Sequence, residues 1–211
     1  GTVSGTGSVA QAGTGTTILT AANSYTGGTT ISAGTLQLGN GGTSGSIFGD
    51  VANDGTLVFN RSDAVTFSGV ISGTGSVIQA GSGTTALTGD STYTGGTTIS
   101  DGALQLGNGG ATGSIVGNVA NNGVLVFNRS NALTFGGVVS GSGGVVQAGT
   151  GTTILTAANT YTGGTLINAG TLELGDGGTS GSIVGNVVDN GTLAFNRSDT
   201  VSFGNGISGT G

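Results

Sequence analysis

Three arginines are the only cations in this 211-residue chain: Arg61, Arg129 and Arg197, spaced 68 residues apart. Each stands in a Phe-Asn-Arg-Ser phrase. A guanidinium presents its N–H donors in a rigid fork, so a row of them along one face could hold anions or sugars. The same side chains could instead pair with a neighbouring acid, such as Asp63 or Asp199, or with turn carbonyls. If successive units stack three coils apart, about 14 Å separates one arginine from the next, too far for two to grip one small anion. Three tyrosines, Tyr25, Tyr93 and Tyr161, keep the same spacing. They could be stacking platforms for sugars on the surface, or they could pack at a corner before the following Gly-Gly turn. These six residues form a candidate surface ladder. For both sets the structural alternative is preferred.

The remaining chemistry-bearing residues argue against catalysis. The chain has no His, no Cys and no Lys. A nucleophile with an adjacent base, or a thiolate metal site, cannot be assembled from what is left. The acids interchange with amides between units: Asp50 corresponds to Asn118 and Asn186, Asp54 to Asn122 and Asn190, Asp63 to Asn131, and Asp176 to Asn40 and Asn108. Asp and Asn serve equally in turns but not as general acids or calcium ligands. No cofactor or metal is expected. Asn60-Arg61-Ser62 and its two equivalents are formal glycosylation sequons, but the Asn reads better as a stacked turn residue. Paired threonines such as Thr16-Thr17 and Thr29-Thr30 fall on different strands, so they do not make one flat ice-binding face.

Those residues must be positioned by a chain of unusual composition. Gly contributes 49 residues, charged residues only 6%, and apolar residues 34%. A net charge of −6 leaves no basic patch for nucleic acid or anionic lipid. Ordinary globular domains carry far more charge, and disordered chains far fewer regularly placed aliphatics. Helix formers are scarce. The apolar runs are too short to span a membrane as a helix.

The 68-residue period organises everything. Residues 1–68, 69–136 and 137–204 are three units, and residues 205–211 open a fourth. Between Gly13–Gly39 and Gly149–Gly175, four of 27 positions differ. Strand signals in the first unit are Val9–Gln11, Thr17–Thr20, Thr29–Ile31, Thr35–Leu38, Ile47–Val51, Leu57–Phe59 and Val65–Phe67. Leu36-Gln37-Leu38 alternates with period two, one face inward. Turns with Gly, Asn and Asp separate these runs, at Tyr25–Gly28, Asn40–Gly42 and Asn53–Gly55. Strands this short bury too little alone, whereas stacked parallel coils share a continuous core. The expectation is therefore one continuous all-β solenoid with about three coils per unit. Nine coils would give a rod about 45 Å long.

The segment from Gly13 to Gly39, with Asn23-Ser24-Tyr25-Thr26-Gly27-Gly28-Thr29 and Gly34-Thr35-Leu36-Gln37-Leu38-Gly39, resembles the passenger-associated transport repeat of bacterial autotransporters. Unit three repeats the phrase at Asn159–Gly175. Unit two departs at Ser91 and Ala103. The resemblance implies a right-handed parallel β-helix, secreted through the outer membrane of a Gram-negative bacterium, with repeats that assist export. Such passengers commonly display adhesins and end in a membrane β-barrel, which is absent from these residues. The expected role is a structural stalk or spine without chemistry of its own. Its partners would be the neighbouring repeats. A self-associating filament or biofilm module, and a face binding host or matrix glycans, are the alternatives.

Overall fold

The computed structural model describes all residues, 1–211. It is built from 25 short strands and no helix, and every pairing is parallel. No helix is therefore long and apolar enough to cross a membrane. The strands stack into columns. In the first, Val9, Thr29, Val51 and Ile71 lie one above another. In the second the order is Thr17, Leu36, Leu57, Val77, Thr97, Val119 and Val139. The third runs through Val65, Thr85, Leu104, Leu125, Val145, Thr165, Val187 and Ile207. After coils through Thr92 and Ile115, the first face resumes as Leu133, Thr153, Leu172 and Leu193. The result is a three-sided parallel β-solenoid of about ten turns.

Inward positions alternate with outward ones, as in Thr35–Leu38, where Leu36 and Leu38 are sealed inside and Thr35 and Gln37 face out. The inward residues join into one apolar column of 30 side chains running the length of the rod. Buried Gln and Asn line the turns inside it. The Gln11, Gln79 and Gln147 side chains donate to the carbonyls of the glycine turns that follow them, at 2.7–3.2 Å. This meets the requirement that buried backbone groups be paired. The ladder passes across residue 68 without a break: Thr56–Phe59 of unit one pairs with Ser76–Gln79 of unit two.

Two expectations change. Ile47–Val51 is not a strand; only Val51–Asn53 is, and Ile47 is buried next to the isolated bridge between Ser46 and Ala22. Asn53 accordingly closes a strand rather than opening a turn, while Ser24–Tyr25 and Ile71–Ser72 are strands of two residues. The coil is also shorter than expected. Successive residues of the first column are 20, 22 and 20 apart, so three coils consume only 62 of the 68 residues. The remaining six carry the chain to the next side. Val9 lies in the first column, Val77 in the second and Val145 in the third. One unit thus makes three and a third turns, not three. Equivalent residues of successive units stand on different faces, about 16 Å apart along the axis.

Candidate functional site

That phase decides the fate of the candidate ladder. Arg61 follows a second-face strand, Arg129 a third-face strand and Arg197 a first-face strand. They occupy three different corners of the rod and form no row. Each also donates from all three guanidinium nitrogens. Arg61 donates from Nε and Nη2 to the two carboxylate oxygens of Asp63, at 2.9 and 2.7 Å. It also donates to the carbonyls of Gly45 at 3.2 Å and Thr43 at 2.6 Å. Arg197 repeats this with Asp199, Gly181 and Thr179. Arg129 meets Asn131, Gly113, Ala111 and, across the coils, Asp90. The pairing expected with Asp63 and Asp199 is what the structure contains. The guanidinium hydrogen bonds hold the Asp63 and Asp199 carboxyls below their ordinary range.

Each arginine latches a protruding loop, Asn40–Gly45 in unit one, to the coil above it. The loop bulges out but stays joined to the next coil: the Gly41 amide donates to the Asn60 carbonyl and the Ser62 amide to the Gly42 carbonyl, and the guanidinium ties down the carbonyls of Thr43 and Gly45. Its neck is closed by Gly39 and Gly45, both at positive φ. A Cβ on Gly45 would collide with the Gly39 amide and the Leu19 carbonyl, so no larger residue fits there.

The tyrosines are not on the surface. Tyr25, Tyr93 and Tyr161 are 0–1% exposed, which rules them out as sugar platforms and places them in the corners. Each phenol pairs with a threonine hydroxyl four residues on: Thr29 at 2.7 Å, Thr97 at 2.6 Å and Thr165 at 2.6 Å. Burial raises all three phenol pKa values, that of Tyr161 to about 12.

The interchange of Asp and Asn has a direct cause. Asp50, Asn118 and Asn186 each accept a backbone N–H from the next coil through Oδ1, at 2.8, 2.9 and 3.0 Å. Asp54, Asn122 and Asn190 do the same for Thr74, Ser142 and Thr210. Only an acceptor oxygen is required, and both residue types supply one. No cluster of three or more potential metal-ligating side chains is present.

One surface feature was not anticipated. Between Gly45–Gly49 and Val65–Ser68 of the next coil lies a notch of about 200 Å³. Its floor is Phe67, which meets Phe59 edge-on at 5.7 Å. Phe48 stands at the rim, 60% exposed. Equivalent notches occur beside Val116 and Val184. The signal was in the sequence: Phe48 and Ser68 depart from Val116/Val184 and Gly136/Gly204, on which units two and three agree.

The passenger-associated-transport-repeat family matches residues 9–38, 77–106 and 145–174. The chain contains three passenger-associated transport repeats. Each match holds the buried tyrosine and its threonine partner, and each ends before the arginine latch and the notch. In an alignment 198 residues long that covers 84% of the chain, the array is 38% identical to the adhesin BmaC autotransporter of Brucella suis biovar 1 (strain 1330). It spans only 6% of that protein. No solved structure matches the array.

Proposed function

We propose that the array is a spacer within a secreted, surface-displayed bacterial passenger, holding other parts of its protein away from the outer membrane. The observation that carries this reading is the unbroken parallel ladder and apolar column through all three units. Each unit contributes the same latch, the same buried tyrosine and the same turn acceptors, so length is the property that repetition changes. Each coil is templated by hydrogen bonds to the one before it. Stepwise folding outside the cell would therefore draw the following chain outward, and low charge with no cysteine suits passage through a pore. Attachment to the membrane would come from a β-barrel elsewhere in the protein.

Two measurements on source cells test this. Antibody against the array should label thin projections outside the outer membrane. Doubling the three units to six should lengthen those projections by about 48 Å in cryo-electron tomograms. Label confined to the cytoplasm, or projections of unchanged length, overturns the proposal.

A further inference from the structure

We infer that the notch of unit one is a binding subsite for an uncharged sugar ring, with Phe48 as its stacking face. The units are close copies, yet unit one departs from the other two on both rims of this one notch. Val becomes Phe at position 48, and Gly becomes Ser at position 68. One change adds an aromatic ring that is 60% exposed, the other a hydroxyl lining the same notch. An aromatic side chain left that open to water has no packing role in the fold, because Val116 and Val184 occupy the same place at 43% and 39% exposure over equally formed Phe pairs.

The lining has the two features a sugar ring needs. Ser46, Thr66 and Ser68 add hydroxyls to the lining of the notch, each able to donate and accept. A pyranose has this same mixture: apolar C–H faces for the ring and hydroxyls for the rim. The guanidinium of Arg61 also lines the notch, but all three of its nitrogens already donate to Asp63, Thr43 and Gly45. It offers no free cation for an anionic ligand.

The test uses this chain and two variants that restore what the other units carry, Phe48→Val and Ser68→Gly, so folding is preserved by precedent within the molecule. Saturation-transfer NMR is run with methyl glycosides of glucose, galactose, mannose and N-acetylglucosamine, and with N-acetylneuraminic acid as the anionic probe. The expected result is transfer to at least one neutral glycoside, about tenfold weaker binding in Phe48→Val and a smaller loss in Ser68→Gly. No transfer from the parent chain, equal transfer in Phe48→Val, or preference for the anionic probe overturns the inference. So do Phe48 resonances that shift with protein concentration alone, which would make the notch a contact between copies. The spacer reading stands apart from all these outcomes, since it rests on the ladder rather than on the notch.

Discussion

Replacing Tyr93 by Phe removes one oxygen from the centre of the rod. Tyr93 is 0% exposed and Thr97 4%. Their hydroxyls lie 2.6 Å apart. Without the phenol, the Thr97 hydroxyl keeps its desolvation cost and loses its partner, about 1–3 kcal/mol. Thr97→Val alone strands the phenol in the same way and should cost a similar amount. The double variant removes both polar groups and leaves two apolar side chains of nearly the original shape, so it should lie close to the parent. The cycle thus predicts a coupling equal to the sum of the two single losses, about 2 kcal/mol or more in favour of the pair. Urea unfolding followed by circular dichroism on the four proteins measures it, provided the slope of the transition stays constant. If Tyr93→Phe leaves the midpoint unchanged, or if the double variant loses the sum of the two singles, the account of the corner is wrong.

Other outcomes follow from the same geometry. Trypsin should leave the folded array uncut, because its three target arginines are latched against loop carbonyls; in urea it should cut after Arg61, Arg129 and Arg197. Early cleavage of the folded chain at Arg129, the most enclosed of the three, would contradict the latch. Asp50→Asn should be neutral to thermal unfolding, while Asp50→Ala should cost about 1 kcal/mol by stranding the Val70 amide. The buried phenols are raised above their ordinary value, so the folded state binds their protons more tightly than the unfolded one. The stability they carry is complete below about pH 10 and is lost as pH rises toward 12. Spectroscopic titration should show phenolate appearing only with unfolding; smooth ionisation of a folded rod would refute that.

Period, strand class and buried faces were readable from residue types alone. Leu36-Gln37-Leu38 announces its inward side because a strand has only two sides. The interchange of Asp50 with Asn118 and Asn186 announces an acceptor rather than an acid. The phase of the coil was missed because 68 was divided into whole turns, although Thr35-Leu36, Thr56-Leu57 and Ser76-Val77 already recur at steps of 21 and 20. Sequence identity between units reports similar local surroundings, not a shared side of the rod. For that reason the arginines and tyrosines looked like rows. The sequence around Tyr25 suits both an exposed and a buried ring, and nothing local separates a sugar platform from a corner plug. The notch escaped notice because it is made by residues twenty apart on adjacent coils, which only the register brings together.

The extra third of a turn also governs what happens when units are gained or lost. Three units complete ten turns and bring the pattern back to its starting side. Units this similar are prone to recombine with one another. A single deletion or duplication would leave every hydrogen bond in register, yet it would swing everything beyond it through 120° while shifting it about 16 Å along the axis. Changing copy number would therefore re-aim the distal part of the molecule as well as move it, and only multiples of three would restore its bearing.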